Sequence, residues 1–435
     1  MADKPHATGA IVSIGDELAI GQSLDTNAKW LASRLTDLGV RVVEHVTVAD
    51  DLERHVAALR RLNEGADGVD LIVSTGGLGP TADDLTRAAL AGLLDEPLVE
   101  DAAAVADLRR WFAGRAMPER NLVQAQRPAS AACLANPNGT APGLRVRVGG
   151  ADVFCLPGPP REMQPMFEAE VAPRVRRAPG VEVATRVIPT FGLGESDVAA
   201  RLGELMDRDR EGRGLPLVGT TASQGVVSIR IRHVGRGDVA RVVSALAAEC
   251  RALVGEEYVL GEGVESLAAC VLDLVRGRGE MVAVAESCTG GGLGASLTET
   301  AGSSDAFAGG FITYTNELKT RLLGVPAAVL AEHGAVSRAC AAAMAEGALR
   351  ATGAAHALSI TGIAGPGGGS EAKPVGTVWI GLASAGMATA ARRFRLAGDR
   401  ANVRAWSAQA ALGMLRLRLI GREELRLLRE VESAQ

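Results

Sequence analysis

The sequence predicts an α/β protein: a doubly wound N-terminal domain, a small α+β middle module and a second α/β domain at the C-terminal end. Apolar runs of strand length alternate with amphipathic helical patterns in both halves of the chain. Several of these runs end in Gly-rich loops, as strands do where a doubly wound sheet binds its ligand. The 435 residues also exceed the ceiling of about 250–300 for one core, so more than one domain is expected.

The N-terminal elements follow from apolar spacing and from turn residues. They are, in order, the strand Ala10–Ile14, a helix opened by Asp25-Thr26 and stopped by Gly39, the strand Val40–Val48, the helix Asp51–Asn63 and the strand Val69–Val73. Strands and helices that alternate at this interval favour a parallel sheet with ligands at the strand carboxyl ends.

A Gly-rich loop follows the third of these strands. Gly76, Gly77 and Gly79, with Thr81, would let the backbone approach a phosphate closely. Asp83 and Asp84, expected at the start of the next helix, are hard oxygen ligands suited to Mg²⁺ or Mn²⁺. The alternative is that both acids only cap that helix.

Carboxylates also end or follow the neighbouring strands. Asp16 and Glu17 follow the first strand, and Asp50 and Asp51 follow the second. These acids are expected to converge with Asp83 and Asp84 at one edge of the sheet, as a metal site would require.

Two changes of pattern divide the chain. Beyond about residue 181 the strands become longer and more alternating, and a Gly-rich break lies near 261–263. We therefore expect domains at 1–175, 176–260 and 261–425.

The third domain begins with the most informative stretch of the sequence. A strand at 281–284 runs into polar residues and glycines that place two candidate nucleophiles, Ser287 and Cys288, at a strand-to-loop turn. Free backbone N–H groups there, with the start of the following helix, would face an anion or a developing oxyanion. The residues of this turn are Glu286, Ser287, Cys288, Thr289, Gly290 and Gly291.

A second strand, containing Gly310 and Tyr314, leads through Asn316 to Lys319. Of the 46 basic residues only four are lysines, so arginine is the default cation of this chain. A group that must lose its proton cannot be arginine, whereas the pKa of a lysine can be lowered by burial. Lys319 is therefore a candidate general base, and the alternative is an ordinary solvated charge at a helix start.

A third strand, 357–360, ends in Thr361, Gly362 and a Gly-rich loop that contains Gly365, and Lys373 follows. The last helix opens with Arg400, and Arg404 lies one turn later. Either arginine would suit a phosphorylated ligand, although both could be helix-surface charges.

Composition excludes several classes of protein. A net charge of −5 argues against a general nucleic-acid binder. Because no signal peptide or long apolar run is recognisable, no membrane association and a cytoplasmic location are expected. The six cysteines lack C-x-x-C spacing, which disfavours disulfide frameworks and zinc sites.

Taken together, these segments resemble the competence/damage-inducible protein CinA family over nearly the whole chain. The segments that carry the resemblance are, in order, Gly15–Leu18, Asp25–Asn27, Thr75–Asp84, Asn136–Gly143, Leu156–Met163, Ala285–Gly291, Gly309–Lys319 and Thr361–Gly376. One departure is Gly158-Pro159-Pro160, where the family pattern is Gly-Val-Pro; this proline removes an N–H donor.

The resemblance implies two hydrolytic activities in a homodimer. The N-terminal domain would be molybdopterin-binding-like and would hydrolyse ADP-ribose to AMP and ribose 5-phosphate with a divalent metal (Mg, Mn or Co). The C-terminal domain would deamidate nicotinamide mononucleotide without a cofactor.

The resemblance also implies residue roles. Ser287 would be the nucleophile and Lys319 its base, with Tyr314 and Thr361 orienting the reacting groups; Cys288 is the rival nucleophile. Substrate contacts at the C-terminal site would come from Glu286, Cys288, Thr289, Gly290, Gly291, Gly310, Asn316, Gly362, Gly365, Lys373 and Arg400. At the N-terminal site substrate contacts would come from Asn27, Gly76, Gly77, Gly79, Thr81 and Asn136, and metal ligands from Asp16, Glu17, Asp83 and Asp84.

Two other readings stay open. The N-terminal domain could be a pterin-binding transferase, and either half could be a non-catalytic binding module linked to competence or DNA damage.

Overall fold

The computed structural model describes residues 4–64, 68–207 and 213–431. Its contacts divide the chain into two compact units. One comprises Met1–Ala184 with Val234–Val239, and the other comprises Thr185–His233 with Ala240–Gln435.

The first unit alternates strands and helices from its start. Its elements are β1 (Thr8–Ile14), α1 (Asp16–Ala19), α2 (Thr26–Asp37), β2 (Arg41–Val48), α3 (Leu52–Asn63), β3 (Leu71–Thr75), α4 (Thr86–Leu94), β4 (Leu98–Glu100), α5 (Ala102–Trp111), β5 (Gln126–Pro128), β6 (Ala132–Leu134), β7 (Gly143–Val148), β8 (Ala151–Leu156) and α6 (Pro160–Met166).

Six of these strands form one sheet in the order β2-β1-β3-β8-β7-β6. The first four are parallel, whereas β7 and β6 are antiparallel to their neighbours, an edge that the sequence pattern did not predict. Strand order reverses between β1 and β3, and a doubly wound sheet binds its ligands at such a point.

Side-chain alternation along β1 shows why helices cover both faces of this sheet. Ala10, Val12 and Ile14 belong to one hydrophobic cluster, which is closed by helices α3 and α4. Ile11 belongs to the cluster on the other face, which is closed by α2 and α6. Because both faces are apolar, this sheet is stable only as the middle layer of three.

A small α+β module comes next along the chain. It consists of β9 (Val181–Phe191), α7 (Glu195–Leu202), β10 (Leu217–Ser223), β11 (Val226–Arg236) and α8 (Val239–Val254). The three strands form a sheet in the order β10-β11-β9, with β10 and β11 antiparallel.

The rest of the second unit is again α/β. Its elements are α9 (Leu267–Arg276), β12 (Val282–Glu286), α10 (Gly292–Thr298), β13 (Phe307–Ile312), α11 (Asn316–Leu323), α12 (Ala327–His333), α13 (Arg338–Thr352), β14 (His356–Gly362), β15 (Thr377–Ser384), β16 (Ala390–Arg395), α14 (Arg400–Leu419) and β17 (Glu430–Val431).

These strands form a sheet in the order β13-β12-β14-β15-β16-β17, in which β12 is parallel to both of its neighbours. Val282 and Val284 face a core closed by α9 and α14. Ala283 and Ala285 face a second core closed by α11 and α13. The parallel strands therefore end together at one edge, which is where this sheet presents functional groups.

Two local expectations are wrong. Helix α4 begins at Thr86, and its N-cap Leu85 makes no side-chain cap bond, so Asp83 and Asp84 neither start nor cap this helix. Tyr314 lies beyond the end of β13 and is 58% exposed, so it is not on the strand. In the described ranges, no helix is long and apolar enough to cross a membrane.

Candidate functional site

Three consecutive parts of the C-terminal sheet meet around Ser287. This residue directly follows β12, and its N–H donates to the Ile360 carbonyl oxygen of β14 at 3.0 Å. Thr313 directly follows β13, and its N–H donates to the Glu286 carbonyl oxygen at 2.8 Å. The residues after the parallel strands are thus held side by side.

Lys319 reaches this point from the first turns of α11, a helix capped by the Thr315 hydroxyl. Its Nζ lies 3.0 Å from Ser287 Oγ, 2.8 Å from the Thr313 carbonyl oxygen and 3.3 Å from the Tyr314 carbonyl oxygen. Lys319 is only 1% exposed, and no carboxylate in the described part of the chain forms an ion pair with it. Burial therefore lowers the pKa of Lys319 from its usual value.

The three partners of Nζ can accept the three N–H groups of a protonated amine. They also suit the neutral amine that a general base requires. Such an amine has two N–H donors and one lone pair, and the Thr313 and Tyr314 carbonyls are acceptors only. When both donors are used on the carbonyls, the lone pair is left for the Ser287 hydroxyl proton. This is the arrangement of a nucleophile beside its general base.

Glu286 does not face a ligand but closes the start of α10. Its carboxylate is 1% exposed and accepts the N–H groups of Gly291 and Leu293, both at 3.0 Å, and of Gly294 at 2.8 Å. The expectation that the glycine N–H groups and the helix start are free for an anion is therefore wrong. A buried carboxylate already satisfies them, as is favourable at a helix N-terminus.

The free donors lie nearer the nucleophile. The N–H groups of Cys288 and Thr289 form no hydrogen bond with another residue of the described chain. The two glycines that follow, Gly290 with φ 58° and Gly291 with φ 98°, adopt the left-handed backbone that turns the chain into α10. The turn thus leaves two adjacent donors directly after Ser287.

Cys288 is poorly placed to replace Ser287 as nucleophile. It is 6% exposed and packs in the hydrophobic cluster beneath α9 and α14. Burial raises the pKa of its thiol to about 11, so the thiolate is scarce near neutral pH.

Arg404 anchors the turn from the last helix. Its Nε and Nη2 both donate to the Thr289 carbonyl oxygen, at 3.1 and 2.6 Å. The sequence suggested a phosphate contact or a helix-surface charge for Arg404, whereas in the structure two of its nitrogens hold the backbone beside Ser287.

Tyr314 and Arg400 form an exposed group near the same turn. Arg400, the first residue of α14, donates to the Gly365 carbonyl oxygen at 2.9 Å and to the Tyr314 hydroxyl at 3.3 Å. Because both side chains are exposed, they remain open to a ligand.

Several other residues expected at the site make contacts within the fold. The Thr361 hydroxyl donates to the Ala335 carbonyl oxygen at 2.8 Å, and Lys373 Nζ donates to the His333 carbonyl oxygen at 3.0 Å. A Cβ at Gly310 would clash with Val284 on the adjacent strand. The same holds for Gly362 and the neighbouring Val378, so these glycines serve strand packing. Asn316 is exposed as the first residue of α11.

The N-terminal unit contains a cavity of about 560 Å³ at the carboxyl ends of β1 and β3. Of the expected residues, its lining contains Glu17, Asn27, Asp50, Gly76, Gly77, Gly79, Asp83 and Asp84. Thr81, Asp16, Asp51 and Asn136 are outside this lining.

The cavity is strongly acidic. Its lining includes the carboxylates Glu17, Asp25, Asp50, Asp83, Asp84 and Glu162, and no lysine or arginine from the described residues. Burial, with the negative charges of Asp16, Asp83 and Glu17, raises the pKa of Asp50. The only charged side chains in this lining that a phosphate would meet are thus negative, unless a cation intervened.

The carboxylates do not form a ready-made metal cage. In the described ranges, no group of three or more His, Cys, Asp or Glu side chains is arranged to hold a metal ion. Mg²⁺ nevertheless commonly binds through one or two carboxylates and several waters or substrate phosphates. The acidic cavity therefore fits a hydrated divalent ion that binds together with a phosphorylated ligand.

Asp84 organises the Gly-rich loop. Its carboxylate accepts the Gly79 N–H at 2.6 Å, the Thr81 N–H at 2.8 Å and the Thr81 hydroxyl. From behind, the buried Arg87 donates to the Leu78 and Gly79 carbonyl oxygens. The loop geometry therefore depends on the Asp84 carboxylate.

Two asparagines hold backbone segments of this unit together. Asn27 donates to Thr75 Oγ1 at 3.1 Å and to the Gly158 carbonyl oxygen. Asn136 donates to the Ala141 carbonyl oxygen and to Glu162, both at 2.9 Å.

Proline is tolerated at position 159. Pro159 is the N-cap of α6, and its carbonyl accepts the Glu162 and Met163 N–H groups. An N-cap residue contributes a carbonyl to the helix, so the missing N–H costs the helix nothing.

Comparison with known proteins covers nearly the whole chain. Family models match residues 264–419 (CinA C-terminal domain), 10–177 (probable molybdopterin binding domain) and 185–259 (damage-inducible protein CinA KH domain). A CinA-like protein from Gemmatimonas aurantiaca is 43% identical over 414 residues, which is 93% of this chain and 95% of that protein.

A putative competence-damage inducible protein from Caldicellulosiruptor bescii is 40% identical over 94% of this chain and 98% of its own length. Among solved structures, the competence/damage inducible protein CihA from Agrobacterium tumefaciens is 42% identical over 36% of this chain and 95% of that chain, with a TM-score of 0.35.

Proposed function

Because the chain belongs to the CinA family, we propose that its C-terminal part hydrolyses the carboxamide of nicotinamide mononucleotide to nicotinate mononucleotide and ammonia. The observation that carries this proposal is the 3.0 Å distance between Lys319 Nζ and Ser287 Oγ in a buried setting. A serine whose proton faces a lysine lone pair is equipped for acyl transfer.

In the first half-reaction, Ser287 Oγ forms a bond to the carboxamide carbon while its proton moves to Lys319 Nζ. The N–H groups of Cys288 and Thr289 hydrogen-bond the negative oxygen of the tetrahedral intermediate. The carbon–nitrogen bond then breaks, and the proton returns from Nζ to the leaving nitrogen, which departs as ammonia.

In the second half-reaction, water attacks the ester on Ser287 and gives a proton to Lys319. The bond from carbon to Oγ breaks, Oγ regains a proton, and the carboxylate product leaves. Arg400 and Tyr314, both exposed beside this turn, are available to bind the ribose phosphate of the substrate.

A panel of substrates tests this assignment. Nicotinamide mononucleotide, nicotinamide riboside and free nicotinamide share the carboxamide, but only the first has a phosphate. We expect the chain to release ammonia fastest from the mononucleotide. Equal turnover of free nicotinamide would contradict a nucleotide-specific site, and ammonia release from none of the three would contradict the amidase.

The pH dependence should report the buried lysine. Lys319 must be neutral to accept the proton, so kcat/KM should rise with pH along a limb whose midpoint lies below the ordinary 10.5, because burial lowers the pKa of Lys319. Between the folded and the unfolded pKa the unfolded chain binds more protons, so this group's contribution to the free energy of unfolding also rises with pH. Rate profiles and urea unfolding at several pH values measure both.

The matched comparison for this profile is Lys319→Met. This variant should lose the pH-dependent contribution to the free energy of unfolding. If kcat/KM of the unaltered chain instead rose with a midpoint at the ordinary lysine pKa of 10.5, a lowered pKa of Lys319 would be contradicted.

For the N-terminal unit we propose hydrolysis of ADP-ribose to AMP and ribose 5-phosphate. The acidic cavity beside the Gly-rich loop supports this, since a pyrophosphate could bind there only with a divalent cation. Bound at this site, Mg²⁺, Mn²⁺ or Co²⁺ would neutralise the phosphate charge. Asp50 and Asp83 would hold the ion together with water molecules. The N–H groups of Gly77 and Leu78, which donate to no residue in the described part of the chain, would orient the phosphates.

Asp84→Asn should abolish the release of AMP from ADP-ribose and leave ammonia release from nicotinamide mononucleotide unchanged. An asparagine has only one acceptor oxygen for the Gly79 and Thr81 donors, so the loop would lose its shape. The deamidase site lies on a different sheet. AMP and ammonia assays on the same preparation measure both effects.

The control for this change is Asp37→Asn at an exposed acid on the end of α2, which should leave both activities unchanged. EDTA should abolish AMP release from the unaltered chain. If AMP release survives both Asp84→Asn and EDTA, the metal-dependent site is wrong.

A further inference from the structure

A second cavity of about 390 Å³ lies in the N-terminal unit, and neither of the two proposed reactions takes place in it. Helix α5 forms one wall with Ala103, Leu108 and Trp111. The segment 131–135, which contains the strand β6, forms the opposite wall.

The walls of this cavity suit a flat aromatic ring. Leu108 and Leu134 are buried apolar side chains, whereas Trp111 keeps 41% of its surface exposed at the rim. An exposed tryptophan beside apolar walls offers the surface on which a heteroaromatic base stacks.

The strand wall adds hydrogen-bonding groups. β6 is the last strand of its sheet and is paired with β7. An edge strand has backbone N–H and C=O groups on its outer side. Such groups can read the polar edge of a nucleobase, while the walls hold its faces.

Hydrogen bonds hold the start of α5, the helix wall of this cavity. Arg127 donates to Asp101 Oδ2 and to the Ala129 carbonyl oxygen, each at 2.9 Å. Asp101 in turn caps α5 by accepting the Ala103 and Ala104 N–H groups, both at 3.1 Å. These bonds join the start of α5 to Arg127 of β5, so the helix wall of the cavity is held in place without a ligand.

The second cavity adjoins the acidic one. Thr140 lines both, and its hydroxyl accepts a hydrogen bond at 3.2 Å from Gln124, which lines the acidic cavity. Among the described residues, the acidic cavity has no Phe, Tyr or Trp in its lining. The anion-binding loop and the aromatic wall are thus separate but adjacent.

We infer that the second cavity, between α5 and β6, binds the purine base of a nucleotide whose phosphates lie at the Gly-rich loop. This inference rests on the proposed ADP-ribose site and assigns the adenine end of its substrate. The base would stack on Trp111 and Leu108, with its polar edge toward β6, while the phosphates extend past Thr140.

The test is calorimetric binding of AMP, in the presence of Mg²⁺, to the full chain and two variants. Ala103→Phe places a ring in the cavity from an exposed helix position, so AMP affinity should fall about tenfold or more. The matched control is Ala106→Phe, which lies on the same helix, is exposed and does not line the cavity. It should bind AMP as the unaltered chain does.

Fluorescence gives an independent readout. Adenosine should quench tryptophan emission in the unaltered chain, and Trp111→Phe should remove that quenching. The inference is overturned if the unaltered chain fails to bind AMP, if Ala103→Phe keeps full affinity, or if Ala106→Phe loses as much.

Binding requires no bond cleavage, so this result is separable from the proposed activity. AMP binding that Ala103→Phe weakens, in a chain that leaves ADP-ribose intact, would refute the pyrophosphatase and retain the base site.

Discussion

Ser287→Ala is expected to lower the rate of ammonia release from nicotinamide mononucleotide by a factor of at least about 10³, the usual scale for deleting a nucleophile. The change removes Oγ, the atom 3.0 Å from Lys319 Nζ that would form the ester. The measurement is the steady-state rate of ammonia release at saturating substrate. Thermal unfolding of the variant checks that the loss is chemical.

The matched control is Cys288→Ala, which changes the adjacent residue. It should keep most of the ammonia release because burial raises the pKa of the Cys288 thiol to about 11 and its side chain packs in the core. Some loss of stability is expected from the cavity that this change leaves. The reverse pattern, with Cys288→Ala inactive and Ser287→Ala active, would make the protein a cysteine amidohydrolase.

Lys319→Arg is expected to be nearly as inactive as Lys319→Ala. The rate depends on a neutral nitrogen that accepts the Ser287 proton, and a guanidinium stays charged at any working pH. Its planar fork would also not fit the space between Ser287 Oγ and two backbone carbonyls. Ammonia release by the two variants measures this, with Lys29→Arg, an exposed lysine of α2, as the control that should stay active.

Substitution of Lys319 should also weaken the fold. Lys319 is 1% exposed and donates to the Thr313 and Tyr314 carbonyl oxygens. Removing the amine leaves buried acceptors unsatisfied, so the free energy of unfolding should fall by about 1–3 kcal/mol. Rates must therefore be referred to the folded fraction. An arginine variant with substantial turnover would show that position 319 supplies charge, and another base would be needed.

The fold class could be predicted because the spacing of apolar residues and the positions of turn residues indicate each strand and helix separately. Along β1 the unbroken apolar run of Ala10, Ile11 and Val12 indicates a strand with two covered faces, because successive side chains point to opposite sides of the sheet. The antiparallel edge formed by β7 and β6 could not be predicted in this way. The direction of a strand depends on where the chain crosses over, and periodicity does not contain that information.

Lys319 could be singled out from the sequence because the scarcity of lysine is a chemical signal, whereas its pairing with Ser287 came from the family resemblance. The role of Glu286 could not be predicted. One N–H group of the glycine turn and two from the start of α10 donate to its carboxylate, and only tertiary geometry shows that this acid occupies the anion position. The same limit applies to Asp84, whose oxygens serve the Gly-rich loop, and to Arg404, which holds the Thr289 carbonyl.

Ser287 is expected to form a covalent acyl intermediate during deamidation. The most direct measurement is turnover of nicotinamide mononucleotide with hydroxylamine present as a competing nucleophile. If the acyl enzyme forms, part of the product becomes the hydroxamate of nicotinate mononucleotide, each acyl group releases one ammonia, and Ser287→Ala yields neither. Ammonia release that produces only nicotinate mononucleotide at every hydroxylamine concentration, or that persists in Ser287→Ala, would contradict it.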